Sequence, residues 1–456
     1  MRWGGAEPGR TRSWRVVAAL LGVAVIAVLV APEVARTLGH ARPAGARTPP
    51  STASALGSPT PAQAAAAAPA ALVDRAAIAD VLARRGAAVT GGDEAAFLAT
   101  VDPAASQLRT EQAQLFRNLR RIDPTRWAYS LAEIRTEVPT AVRDRLGGTA
   151  VLAHVVLRYR LPRVDQVDAV RNEWLTFVER PDGWKLAGTG DGVSLGLRTD
   201  VDVWDLASVS VASGDRSLVI SAYAPASGYV EEVDAAVQRV EQVWTHPWSG
   251  TVAVLVPASE TDMAEVLDEH EGGLSQIAAV TTGRVSAART PATADRVVLN
   301  PSTFAGLSAL GRRVVLAHEI THVATRAITT TSLPMWLSEG FADYIGYRGT
   351  GVPVSVAASD VVRAVREDQI PADLPADAAF DADTADISPA YEQSWLAVRL
   401  LAQLYGPAKV ADFYYAAASS RLADGRQAVD DALRRVLGIS RATLVQRWRD
   451  QLADLG

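Results

Sequence analysis

The chain has no cysteine. That single absence removes disulfides, zinc knuckles, thiol catalysis and lipid attachment through an N-terminal cysteine. Any bound metal must therefore sit on histidines and carboxylates. Histidine is itself scarce, six in 456 residues, so two of them four positions apart stand out. Basic runs are missing from the body of the chain and the net charge is only -6, which argues against a nucleic-acid partner. Phosphate loops are missing too. Gly272-Gly273 and the glycines from Gly188 to Gly192 lack both a Lys-Ser/Thr pair and a G-x-G-x-x-G frame. The Asp-rich stretch from Asp373 to Asp386 is interrupted by Pro and Ala and lacks calcium-loop spacing, so it reads as a solvated loop.

What is present begins with an address. Arg2, Arg10, Arg12 and Arg15 precede one apolar run, Val16 to Ala31, closed by Pro32. The charge asymmetry predicts a cytoplasmic tip and a membrane anchor over residues 1–31, with the rest exported. The run falls slightly short of the roughly 20 apolar residues of a spanning helix; Trp14 and the residues around Val34 extend it. A small-x-small cleavage site is poorly formed at Ala31-Pro32-Glu33-Val34-Ala35, which favours an uncleaved anchor. The expected location is the cell membrane, single-pass, with the folded part outside the cytoplasm; cleavage would make the protein secreted. Residues 32–72 are Pro, Ala, Ser, Thr and Gly with almost no large apolar side chain. Such a stretch buries too little surface to offset ordering entropy and predicts a disordered linker.

Two folded parts follow, within a chain long enough for more than one domain. In residues 73–192, helical stripes (Ile78-Val81-Leu82; Phe97-Leu98-Val101) are broken by Gly91-Gly92-Asp93, and a third helix is expected over 111–122. Strand patterns run over 150–160 and 173–179, and Pro181-Asp182-Gly183 turns into a strand at 184–188. Helices first and then an antiparallel sheet resembles the NTF2-like (cystatin-like) α+β arrangement, a shape that serves as a binding module, an enzyme or a spacer. His154 sits within an apolar strand and reads as a packed or surface histidine. Residues 193–456 open with short strands (217–221, 251–256, 296–300), separated by helices at 230–244 and 262–269. From Leu307 the pattern is helical to the end. A small sheet followed by helices makes an α+β domain.

The chemistry lies in that helical part. Val314-Val315-Leu316-Ala317-His318-Glu319-Ile320-Thr321-His322 falls inside one expected helix. Residues four apart are stacked one turn above each other, so both imidazoles leave one face and can grip one ion. Glu319 stands beside them, placed to take a proton from a metal-activated water and pass it to a leaving amine. A catalytic zinc takes three protein ligands and keeps one position for water.

Downstream, Pro334-Met335-Trp336-Leu337-Ser338-Glu339-Gly340-Phe341-Ala342-Asp343-Tyr344 closely resembles the "WLxEGFAxY" segment of gluzincin metallopeptidases, the M1-like and M61-like group called peptidase MA. The resemblance implies a zincin-type fold, a Zn2+ cofactor and a peptide or protein substrate. It makes Glu339 the third metal ligand, beside His318 and His322. Asp343, one turn on, would accept the second ring N–H of His318; the alternative is an exposed helix aspartate. Pro389-Ala390-Tyr391, running to Leu404-Tyr405-Gly406, resembles the family helix whose tyrosine hydrogen-bonds the scissile carbonyl. That role falls on Tyr391, with Tyr344 and Tyr347 as rivals and plain packing as the alternative. The strand at 296–300 occupies the place of the family's substrate-binding edge strand.

Two departures matter. The gap from His322 to Glu339 is shorter than in the large aminopeptidases, as a trimmed loop would make it. The G-x-M-E-N motif that holds a substrate's free amino end is missing, which favours endopeptidase or narrow-specificity activity at least as much as aminopeptidase activity. The competing function is a non-catalytic envelope scaffold on a zincin fold.

Overall fold

The computed structural model describes residues 74–269, 274–282, 294–381, 384 and 386–456. The expected anchor (1–31) and linker (32–72) lie outside the described residues. Among those described, no helix is long and apolar enough to cross a membrane. Shorter helices are left unnumbered below.

The chain opens with α1 (Arg75–Gly91) and α2 (Ser106–Ile122). Asp74 accepts the Ala77 N–H to start α1, and Gly92, at φ 72°, ends it in a left-handed turn open to glycine at little cost. A four-stranded antiparallel meander follows: β1 (Arg126–Arg135), β2 (Ala150–Arg160), β3 (Ala169–Arg180) and β4 (Gly183–Gly188). Alternate residues Val151, Ala153 and Val155 turn to the helices and pack with Ile78, Leu82 and Phe177. His154 therefore faces the other way. It stacks on Trp174 at 5.0 Å between centroids and lies 3.2 Å from Asn172 Oδ1.

The second sheet comprises β5 (Ser210–Ser213), β6 (Ser217–Ser221), β7 (Val252–Val256), β8 (Ala279–Thr281) and β9 (Arg296–Leu299), in the order β5-β6-β7-β9-β8. Its centre is parallel, β6 to β7 to β9, and both edges are antiparallel. Helix α3 (Ser227–Glu241) makes the crossover from β6 to β7, and α4 (Glu260–Leu267) follows β7.

Apart from the edge strand β5, this sheet is buried on both faces, which explains its unbroken apolar runs. Val219, Val254, Val256 and Val297 face the C-terminal helices. Leu218, Ile220, Leu255 and Val298 face Leu115, Phe116, Trp127 and Tyr159 of the first part. The two parts thus share a core. Arg296 of β9 reaches Asp165, in the β2–β3 connection, with Nη1 and Nη2 at 2.6 and 2.7 Å. Asn118 of α2 donates to the carbonyls of Trp204 and Ala207 at 2.8 and 2.7 Å.

The remainder is helical: α5 (Ala309–Thr325), α6 (Met335–Tyr347), α7 (Ser359–Arg366), α8 (Ser388–Tyr405), α9 (Pro407–Ala418), α10 (Gly425–Ala432) and α11 (Arg441–Ala453). The α+β class is as expected, sheets in the middle and helices after them. Strands β1, β5 and β8 are additional to the sequence expectation. Strand β1 is exposed or half-exposed along nearly all its length without clean alternation, and β5 and β8 are too short to carry a period.

Candidate metal centre

Helix α5 is almost wholly enclosed, with Val314, Leu316, Ala317 and Ile320 at 0–2% exposure. Ser308 starts it by accepting the Gly311 N–H. It packs on α3, α6 and β8. Those neighbours leave one polar corner, and His318, Glu319 and His322 fill it.

Helix α6 begins after Pro334 and crosses α5. Two glycines set how close it comes. A Cβ on Gly346 would lie 3.0 Å from the Val314 carbonyl of α5, and one on Gly340 would lie 2.5 Å from the Ser394 carbonyl of α8. Glu339 is the residue before Gly340, so this close approach carries its carboxylate to the histidines.

Three side chains converge. His322 Nε2 is 3.1 Å from His318 Nε2, and Glu339 Oε2 is 3.4 and 3.3 Å from those two nitrogens. Ligand atoms about 2.0–2.1 Å from a tetrahedral ion stand roughly 3.3 Å from one another, so the three form one face of such a site. Glu339 Oε2 is buried without a hydrogen bond, the position of an atom whose lone pair is meant for a cation. Burial alone would raise the Glu339 carboxyl. The charge of His322 and the contacts to both histidines outweigh it and hold the group well below the usual carboxylate range.

Asp343 fixes the geometry from behind. Its Oδ1 lies 2.8 Å from His318 Nδ1, which directs the Nε2 lone pair at the site. Both groups are buried, His318 fully. The Asp343 carboxyl is raised by burial against the pull of His318. Burial opposes charge on His318, and Asp343 more than compensates, raising the imidazole well above its ordinary value.

Glu319 projects beside the ligand face. Its Oε2 accepts the Thr281 hydroxyl at 2.6 Å, while Oε1 is buried without a partner. Burial raises this carboxyl despite the neighbouring histidines, which makes it a better proton acceptor than a solvated glutamate. Thr281 lies on β8 and carried no signal in the sequence, because it meets Glu319 only through the sheet edge.

Tyr391 sits on a different helix from these groups. It opens α8, is 4% exposed and packs edge-on against Phe380 at 5.2 Å. Neither it nor Tyr344 nor Tyr347 lines the cavity next to the metal ligands. The Tyr414 hydroxyl lies 3.0 Å from Oγ1 of Thr329, a residue that lines that cavity.

The cavity is small, about 170 Å³, and is lined by Glu319, His322, Glu339, Thr281 and Ser338 among others. A larger one, about 700 Å³, lies between the first sheet and α4, away from the histidines. Size does not locate the chemistry here; the converging donors do.

Residues 300–454 match the model of the Peptidase MA superfamily. This stretch is a Peptidase MA superfamily domain. No curated protein matches the chain. The Peptidase MA match begins directly after β9 and takes in every helix from α5 to α11. It includes His318, His322 and Glu339, so the metal-ligand group and the family assignment rest on the same helices. An H-x-x-x-H pair with a distal glutamate in this domain is consistent with a gluzincin zinc peptidase.

Proposed function

We propose that the protein hydrolyses peptide bonds with a zinc ion held by His318, His322 and Glu339 and with Glu319 as general base. The observation that carries the reading is the triangle of donor atoms at 3.1–3.4 Å with a buried, unpaired Glu319 oxygen beside it. Zinc bound there would polarise the scissile carbonyl and acidify a water.

The chain's own groups do the rest. Glu319 Oε1 takes the proton of the attacking water and delivers it to the leaving nitrogen. Thr281 holds the other carboxylate oxygen, so Oε1 keeps its aim. Asp343 keeps His318 in the tautomer that presents Nε2 to the ion. Stabilisation of the oxyanion is assigned to Tyr391 on sequence resemblance alone, and Tyr391→Phe tests that role by its effect on kcat.

The wider reading places the catalytic part outside the cytoplasm, tethered by residues 1–31 through the 32–72 linker. The arginine-flanked apolar run supports it. The first part is assigned to an NTF2-like unit, supported by helices followed by a four-stranded antiparallel meander.

Metal analysis and a peptide-library digestion test the core of the proposal. The purified protein should hold one zinc per chain, and chelation should abolish cleavage. His318→Ala, His322→Ala and Glu339→Ala should lose the metal. Asp343→Asn should weaken zinc by about 10–100-fold. Glu319→Gln should keep zinc and lower kcat by about 100-fold or more. Full cleavage by zinc-bearing Glu319→Gln would reject the mechanism. A biological role unchanged by that substitution would favour the non-catalytic scaffold.

A further inference from the structure

The small cavity carries a cation that none of the steps above uses. Arg326 follows His322 by four residues, as His322 follows His318, so all three leave the same side of α5 and its last turn. The backbone of Arg326 therefore lies about one helical turn (roughly 5.4 Å) beyond that of His322.

Its side chain is 9% exposed. Nε donates to Asp295 Oδ2 at 2.8 Å, and that carboxylate is 2% exposed. Among the described residues, Nη1 and Nη2 make no hydrogen bond, yet they are not sealed in like the buried atoms that lack partners. Arg326 is one of the residues that line the cavity. Thr325, Thr329, Thr330 and Thr331 add short polar side chains, and Leu333 and Met335 supply apolar wall. The acid at the mouth, Asp377, is exposed, and its Oδ1 is engaged by the Met335 N–H at 2.8 Å.

We propose that this cavity is a specificity subsite for a substrate carboxylate next to the scissile bond, received end-on by Nη1 and Nη2 of Arg326. The inference rests on the peptidase reading and adds a substrate class to it. A planar fork with two free N–H-bearing nitrogens matches the two oxygens of a carboxylate. A glutamine side chain offers only one acceptor oxygen to that fork and turns donors toward it as well. Lysine and arginine would be repelled. Asp295 orients the guanidinium through Nε and gives it a counter-charge, which makes its burial tolerable. The carboxylate could belong to an aspartate or glutamate side chain or to the C-terminus of a peptide; both present the same group.

Three short peptidyl hydroxamates separate these sources, with binding to the full-length zinc-loaded protein measured by calorimetry. The first has glutamate beside the hydroxamate and every other carboxyl capped. The second has glutamine in its place, and the third has the same glutamine with a free C-terminal carboxylate. The glutamate probe should bind at least about tenfold more tightly than the capped glutamine probe, the scale of a charged hydrogen bond. A gain by the third probe alone would identify the chain terminus as the source. Arg326→Gln should bring all three within about twofold. Arg326→Lys, which keeps the ion pair with Asp295 but not the fork, should retain part of the preference. Asp295→Asn should widen it.

Equal affinities in the wild-type protein would overturn the subsite while leaving the zinc reading intact. A preference that survives in Arg326→Gln would do the same. If zinc-loaded protein binds none of the probes, the peptidase reading fails and takes this inference with it.

Discussion

Glu173 of β3 is walled in beside Arg171, whose Nη2 is 3.4 Å from its Oε1. Arg171 is also claimed by Asp202 and Asp205, at 3.2 and 2.7 Å, so one guanidinium serves three carboxylates. Burial pushes the Glu173 carboxyl from 4.5 up to about 7; Arg171 and Arg85 pull it down, and Asp205 and Asp200 add to the rise. The consequence for stability has a definite sign. Between about pH 4.5 and 7 the folded chain keeps a proton that the unfolded chain releases, so folding weakens as pH rises through that window. The loss should be on the order of 3 kcal/mol by pH 7. Glu173→Gln holds no such proton and should flatten the curve of urea-unfolding free energy between pH 5 and 7. An unchanged slope would show that Glu173 titrates normally.

Among the metal-site residues, His318, Glu319 and His322 were legible because they are local, held at helical spacing on one segment. The hydrogen bond from Thr281 was not. It joins residues 38 apart through a three-residue edge strand, and no spacing rule spans that distance.

At the scale of elements, the centre depends on how near α6 can come to its neighbours. The contact of Gly340 with the Ser394 carbonyl leaves no room for a methyl group, and both partners are helix backbone. Gly340→Ala should push α6 from α8 and cost about 1–3 kcal/mol, as overpacking does. Because Glu339 precedes it, zinc affinity should fall in the same variant. Zinc titration together with thermal unfolding measures both, and native values for both would show that the helices yield freely. Helix α5 was readable from its apolar spacing and α6 from the turn signals before it. The ten-residue β1 was not, because several of its side chains lie half-exposed and its alternation is blurred. Its place is set by pairing with β2 from Arg126–Arg160 to Arg135–Leu152.

For the molecule as a whole, strands β6 to β9 of the second sheet are buried on both faces. Its back is covered by α2, β1 and β2, and the buried pair Arg296–Asp165 ties that cover to β9 with side chains 5% and 1% exposed. Asp165→Ala would leave a guanidinium buried without its counterion. The expected loss is about 3–5 kcal/mol, read as a lower urea midpoint for the zinc site and the first sheet together. Two separate transitions would show that the shared core does not couple them.

The order of residues along the chain settled the donor types: the absence of thiols forced any metal onto imidazole and carboxylate, and two histidines a turn apart named where. Local chemistry can do that, since helix periodicity acts over a few residues. The family resemblance brought Glu339 to the same point, whereas tertiary structure alone decided that Thr281 grips Glu319, that Arg326 lines the cavity, and that the two sheets share one core. Those outcomes depend on backbone-to-backbone distances between segments remote in sequence, which are fixed only when the whole core closes.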